Sequence, residues 1–368
     1  MIFHHLHPLK PDGASGSQVR PYQMCRAFEA LGFQVEPVVG LARDRKAAIK
    51  RIKRQIEAGR RFDFVYSESS SAPTLLTEPH HFPTHPALDF GFFKWLKHHN
   101  IPIGLFYRDV HWRFRQYRDQ VAWYKRVVAV PLYWYDWLAY RRWVDCLFLP
   151  SLAMKSSLPG VWDDNRLWAL PPGCIEDAIA GQESDRLREG DLALLYIGGV
   201  IPPLYDLTFL FKVIDNLDGV HLTLCCRQPE WAKARSYYEP FNAEKIQVVH
   251  LSGPDLRPLY ARADLFVLLW QPYAYLDFAM PIKIFEAISY GLPIFTTDGT
   301  ETARFVGREG IGWLVSTPAQ ASNLLLNLKA NPHLIAQKRC HVKQIRQRHT
   351  WQARAQTVVD ALTGPEAA

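Results

Sequence analysis

The chain reads as an α/β protein with two parallel sheets, each covered by helices on both faces. Three observations predict this. The strand-like segments, such as "DLFVLLW" and "LPIFTT", are continuous apolar runs rather than alternating ones, the pattern of strands buried on both faces. They alternate with segments of helical spacing, the order of a βαβ array. The 368 residues suit two domains, and Pro-Pro-Gly at 171–173 is a natural break between them.

The second half reads in order as strand "LALLYIGGV", helix "LYDLTFLFKVIDNL", strand "VHLTLCC", helix "PEWAKARSYYEPF" and strand "IQVVHLSG". A short helix "DLRPLYARA", strand "DLFVLLW", helix "PIKIFEAISYG" and strand "LPIFTT" follow. Helix "TETARFVGREG", strand "GWLVS" and helix "PAQASNLLLNLKAN" complete it. Pro281 at a first turn and Gly291 just past the end show the expected helix asymmetry. The first half gives strand "MIFHHL", helix "SQVRPYQMCRAFEALG", strand "FQVEPVVG" and a very basic helix "ARDRKAAIKRIKRQIEAG". Strand "DFVYSES", helix "ALDFGFFKWLKHHN" and strand "IPIGLFYRD" come next, then an aromatic and basic stretch over 112–143 and strand "DCLFLPS". The expected domains are 1–172 and 173–349, with a last helix at about 350–368 returning to the first. Two Rossmann-like halves facing across a cleft would place ligands at the carboxyl ends of the strands.

Composition narrows the class. Apolar residues make up 48% and charged residues 21%, ordinary for a globular core. Six Cys without a CxxC pair argue against a zinc site or a disulfide framework and fit a reducing compartment. "MIFHHLHPLK" does not read as a signal peptide, and no uncharged apolar run reaches a spanning length. The expected location is cytoplasmic. Residues 1–172 hold 24 Lys and Arg against 15 Asp and Glu, a net +9; residues 173–368 hold 19 against 21, a net −2. One half therefore faces an anionic partner.

Three loops carry candidate chemistry. "HPLKPDGASGSQVR" follows the first strand; Gly13 and Gly16 allow close backbone approach, and Ser15 and Ser17 can cap the helix. It lacks the dinucleotide fingerprint, and a capped glycine-rich turn without ligand explains it equally. Arg108, Asp109 and His111 follow "IPIGLFY"; His111 suits a base or a donor to a sugar hydroxyl, against a solvated Arg108–Asp109 pair. Lys283 lies in the first turn after Pro281, where the helix dipole disfavours a cation unless an anion shares the place. Glu286 follows one turn on, as a partner of Lys283 on the helix surface or as a second ligand group.

"MPIKIFEAISYGLPIFTTDGTETARFV", with "YIGGVIPPLYDL", "LYARADLFVLLW", "LFLPS" and "LPPGC", resembles the nucleotide-sugar signature of retaining glycosyltransferases of the GT-B fold, especially glycosyltransferase family 4. The likeness covers the second half well and the first half loosely. It implies that Glu286 binds the donor ribose and that Lys283 lies near the donor diphosphate. The family's first Glu would fall at Phe278, with Asp277 adjacent. The Arg and Lys usual after the Gly-Gly strand are missing from "GGVIPPLYDL", which makes Arg227 the candidate substitute. Gly16, Gly199, Ser252 and Met280 complete the donor-binding set, and Asp109 or His111 matches the acceptor-side loop. The implied co-substrate is a UDP- or GDP-linked sugar, without a metal or other cofactor, and the acceptor a saccharide, free or lipid-linked. A departing sugar diphosphate gains negative charge, which lysine, arginine and helix amides stabilise.

Residues 112–143 hold five Trp, five Tyr and seven Lys or Arg against two Asp, and the basic helix over 43–61 adds nine basic residues against two acids. Trp and Tyr with Lys and Arg are the interfacial combination, so an anionic membrane surface on the inner face of the plasma membrane is one expected partner. A packed helix with snorkelling Arg stems is the other account. Two rival functions stand beside the transferase: a nucleotide-sugar epimerase of similar fold, and a non-catalytic anion-binding protein. The basic segments contain no recognised nucleic-acid module.

Overall fold

The computed structural model describes residues 1–11, 13, 16–176, 190–271 and 273–364. Ser15 lies outside them. The described chain divides into two compact units, Met1–Pro171 with Trp351–Ala368, and Pro172–Thr350.

The first unit is built on a parallel six-stranded sheet. Its strands are β1 (Ile2–His5), β2 (Glu36–Val39), β3 (Val65–Glu68), β4 (Ile103–Phe106), β5 (Cys146–Leu149) and β6 (Leu167–Ala169), in the order β2-β1-β3-β4-β5-β6. Its helices begin with α1 (Gly16–Ala30), α2 (Ala42–Glu57), α3 (Leu88–His98), α4 (Arg115–Gln120) and α5 (Trp123–Trp143). β1, β3 and β4 are buried along their whole length. β4 is an apolar run, whereas β1 and β3 end in the buried polar residues His4, His5, Ser67 and Glu68, each with a hydrogen-bond partner. Phe3, Phe28, Phe64 and Tyr66 pack in edge-on and tilted ring contacts in the core between the sheet and α1. Two elements depart from the sequence reading. β6 is a strand of three residues just before the proline pair. The aromatic stretch divides into α4 and the long α5, with Pro131 inside the helix.

The second unit repeats the architecture. Its strands are β7 (Leu192–Ile197), β8 (Val220–Cys225), β9 (Ile246–Val249), β10 (Leu265–Leu268), β11 (Ile294–Thr297) and β12 (Gly312–Val315), all parallel, in the order β12-β11-β10-β7-β8-β9. The helices are α6 (Thr208–Asp215), α7 (Gln228–Tyr238), α8 (Arg257–Arg262), α9 (Ile282–Ser289), α10 (Glu301–Glu309), α11 (Pro318–Ala330) and α12 (Pro332–Ile345). α12 was not anticipated from the sequence. Local chemistry sets the ends. Thr300 Oγ1 accepts from the Ala303 amide to start α10, and Gly310, at φ 66°, ends it in the left-handed region. Phe266, Ile284, Phe285, Ile288 and Phe295 are fully buried in the core between β10, β11 and α9.

The chain then returns to the first unit as α13 (Trp351–Thr363), which packs on α1 and β4. Gly104 of β4 makes this possible. A Cβ there would lie 2.7 Å from the Phe148 ring and 2.9 Å from Leu362 of α13.

Candidate functional site

In the second unit the strand order reverses between β7 and β10, whose Leu265 and Phe266 pair with Leu194 and Leu195. Ligands of open α/β sheets sit at the carboxyl ends of the strands at such a switch point. The loops leaving β7 and β10 therefore frame the site. The first contains Gly198 and Gly199. A Cβ on Gly199 would stand 2.4 Å from the Tyr205 ring, so the aromatic ring covers the backbone only because no side chain intervenes. The second runs from Trp270 to Pro281 and delivers α9.

Pro281 occupies the N-cap of α9 with extended backbone and no side-chain cap. The first amides of the helix are thus left for a ligand or solvent. Lys283 Nζ donates to Glu286 Oε2 at 2.7 Å, each side chain about one-quarter exposed (25% and 26%). The same carboxylate oxygen accepts from the Tyr260 hydroxyl at 2.7 Å. Tyr260 belongs to α8 and is buried; burial first, then the neighbouring Glu286 charge, hold its phenol well above the ordinary value. The phenol therefore stays a donor, and Glu286 is fixed from both sides. Phe285 and Ile288 on the opposite face are completely buried. The pair is an i, i+3 contact, as an ordinary surface bridge would be. A third, buried partner distinguishes it from one.

The other sequence-predicted residues of this unit are spread over the same edge of the sheet. Arg227 is the N-cap of α7 at the end of β8, largely exposed and paired with Glu230 at 3.2 Å. Ser252 is exposed in the turn after β9. Asp277 is exposed, and its carbonyl accepts from Arg304 at 2.6 Å. Phe278, where a glutamate was expected, is buried against Tyr275. Met280 is buried in the core beside α9.

In the first unit Asp109 and His111 come together after β4. Asp109 Oδ1 accepts from the His111 amide at 2.9 Å, and Asp109 Oδ2 lies 3.1 Å from His111 Nδ1. His111 Nε2 contacts the Tyr133 hydroxyl of α5 at 3.3 Å; that hydroxyl donates to the Ser71 carbonyl at 2.7 Å. The imidazole is therefore held by a hydrogen bond at Nε2, while Nδ1 lies close to the Asp109 carboxylate without an aligned hydrogen bond, and the side chain remains part-exposed. Beside it, Glu68 ends β3 fully buried between Arg108 (3.2 Å) and Arg20 (3.4 Å), and Arg20 stacks 3.5 Å above the Phe106 ring. Arg108 thus pairs with Glu68, whereas one sequence account set it against Asp109. Gly16 is the first residue of α1.

A separate network fixes the loops after β1 and β2. Asp89 accepts two bonds from Arg45, at 2.8 and 3.0 Å, and one from His4 at 3.0 Å. Burial alone would raise its carboxyl, but the His4 and Arg45 contacts outweigh it and take it down to about 2. Among the described residues no group of three or more His, Cys, Asp or Glu is arranged to hold a metal ion. Sequence reasoning missed Tyr260 and Tyr133. Each reaches its partner through tertiary packing, across 26 and 22 residues, and no local pattern marks such contacts.

Residues 191–331 match the family model for glycosyl transferases group 1. Among solved structures the chain is similar to WaaG, a glycosyltransferase involved in lipopolysaccharide biosynthesis, at 15% identity over 99% of this chain and 100% of that one, with a TM-score of 0.56. It is similar to Anabaena Alr3699/HepE in complex with UDP-glucose at 13% identity, over 98% and 99%, with a TM-score of 0.64. It is also similar to sucrose-phosphate synthase from Thermosynechococcus elongatus at 13% identity, over 97% and 96%, with a TM-score of 0.59. A search of curated proteins returns no match. The two six-stranded parallel sheets with flanking helices are those of the GT-B fold, two Rossmann-like domains. The matched domain, together with this fold, supports a glycosyltransferase enzyme.

Proposed function

We propose that the chain transfers a sugar from a UDP- or GDP-linked donor to a saccharide acceptor, free or lipid-linked, with retention at the anomeric carbon. The proposed setting is cell-surface polysaccharide or glycolipid synthesis on the cytoplasmic side of a membrane. The observation that carries this reading is the Lys283–Glu286–Tyr260 arrangement at the start of α9, beside the switch point of the group 1 domain. Glu286 offers a carboxylate, pre-oriented by Tyr260, to the two ribose hydroxyls. Lys283 and the uncapped α9 amides offer positive charge to the diphosphate. That the similar Anabaena protein was determined with UDP-glucose supports a UDP-linked donor.

In the proposed step the bond between the anomeric carbon and the diphosphate oxygen breaks, and its electron pair leaves with the diphosphate. Lys283 and the α9 amides stabilise that charge as it grows. The acceptor oxygen forms the new bond on the same face of the sugar, and its proton has to go. Asp109 and His111 are the proposed groups for holding the acceptor hydroxyl and handling that proton. No protein nucleophile is assigned, and no metal or further cofactor is invoked. Of the other candidates, Gly16, Gly199, Arg227, Ser252 and Asp277 are proposed as backbone or polar contacts at strand ends, and Met280 as support beneath the sugar.

The reading is tested by thermal shift with a panel of UDP- and GDP-sugars, followed by analysis of the sugar released. One donor should stabilise the protein and be slowly hydrolysed without acceptor. Conversion of a donor to its epimer, or stabilisation by none of them, would overturn the reading.

A further inference from the structure

α5 carries apolar groups on the side that faces away from its own domain. Its inward side buries Ala129, Tyr133, Asp136, Trp137 and Tyr140. On the opposite side Trp123 (69% exposed), Val127 (65%), Trp134 (43%) and Leu138 (61%) follow one another at four, seven and four residues, a single stripe along the helix. Tyr124 and Val128 widen it. Isolated exposed apolar residues need no explanation, but a whole unpartnered helix face does.

The surroundings of the stripe are basic. Lys125 is exposed at one end, and Arg141 and Arg142 at the other. The preceding α4 adds exposed Arg115 and Arg118, while its single acid, Asp119, lies 3.7 Å from Arg115. Asp136, the acid of α5 itself, is on the inward side. A second copy of the chain fits this surface badly. Antiparallel pairing would set Lys125 against the partner's arginines, and parallel pairing would set arginines against arginines.

We propose that the outward face of α5 docks in the plane of an anionic lipid bilayer. A helix of this length runs about 30 Å along its axis, and Trp and Tyr on one face with Arg and Lys at the ends match an interfacial helix. No helix among the described residues is long and apolar enough to cross a membrane, so the contact is lateral. The inward side of the same helix holds His111 through Tyr133 and holds the Thr74 amide through Asp136, at 2.7 Å. The outward, docking face of the helix is thus one helix diameter, about 10 Å, from the His111 loop that its inward face touches. That proximity suits a lipid-linked acceptor, a consequence that rests on the proposed transfer reaction; docking itself does not.

The test is co-sedimentation of the full chain with vesicles of phosphatidylcholine alone and with about a quarter phosphatidylglycerol, at low and high salt. The expected result is binding to the phosphatidylglycerol vesicles alone, weakened by salt. The double variant Trp123→Asp, Leu138→Asp should lose roughly tenfold or more in vesicle affinity while unfolding at the wild-type temperature. Arg141→Glu with Arg142→Glu should weaken binding chiefly at low salt. Unchanged binding in the double aspartate variant would overturn the proposal. So would a wild-type dimer at the assay concentration that the same variant dissolves, since the face would then belong to a second copy. Neither outcome touches donor binding, which is measured separately in solution.

Discussion

Glu286→Gln is the sharpest perturbation of the proposed donor site, because its effects on folding and on binding separate. The carboxylate has two protein partners. Its bond to Lys283 is an i, i+3 pair with both groups about one-quarter exposed, and such pairs contribute about 0.5 kcal/mol. Its bond to Tyr260 matters more, because that hydroxyl is buried. Glutamine keeps an oxygen to accept it, so the total cost should be about 1 kcal/mol. Alanine would strand the phenol and add about 1 to 3 kcal/mol, which is why it is the poorer test. For the donor, two hydroxyls lose a charged acceptor. Hydrogen bonds to charged groups contribute about 1.5 to 3 kcal/mol each, and the neutral amide retains part of that. Donor affinity should fall about 10- to 100-fold. Calorimetric titration with the stabilising nucleotide, beside urea unfolding of both proteins, reads the two quantities. A variant that binds within twofold of wild type would refute the ribose assignment. A loss of binding matched by an equal loss of folded protein would refute the separation of roles.

Asp136 is buried and its carboxyl is pushed up to about 7 by burial, with the Thr74 amide only partly opposing this. Between about pH 4 and 7 the folded chain keeps a proton that the unfolded chain releases, so this group's stabilisation is present at low pH and lost as pH rises. Asp136→Asn should therefore gain stability relative to wild type by about 2 to 3 kcal/mol more at pH 8 than at pH 5 in urea unfolding; an equal difference at both would contradict the assignment. Asp89→Ala leaves Arg45 and His4 without their buried partner and should cost about 3 to 5 kcal/mol, seen as a large drop in melting temperature. With Asp89 at about 2 in the folded chain, its stabilisation is present above pH 4 and lost as pH falls towards 2. Gly199→Ala drives a methyl into the Tyr205 ring, so it should lower the melting temperature and weaken donor binding together; an unshifted melting curve would show that the ring moves freely.

The second sheet was legible because strands such as β7, β10 and β11 are largely apolar runs and helices such as α9 and α10 end in recognisable chemistry, as at Pro281, Gly291 and Gly310. Where this failed, a physical cause is visible. β6 is three residues long, too short to show a run, and a single residue separates it from the proline pair. α12 begins straight after α11 with Asn331 as the only separator, so its start reads as the end of a helix. α5 shows no amphipathic period because apolar residues stand on its outer face as well as its inner one, so its ends and its division from α4 were not legible although a packed helix was one account of the stretch. That missing period is itself informative, since it marks a face left exposed among the described residues. At the site, Lys283 and Glu286 stood out through charge on a helix with a buried face. Their third partner, Tyr260, lies on another helix, and only the folded chain brings it to Glu286.

A structure of the chain with bound UDP or GDP tests the central claim most directly. The nucleotide should lie at the carboxyl ends of β7 and β10, with its ribose hydroxyls on Glu286 and its diphosphate between Lys283 and the first amides of α9. A nucleotide bound elsewhere, with the Lys283–Glu286–Tyr260 contacts unoccupied by ligand, would contradict it.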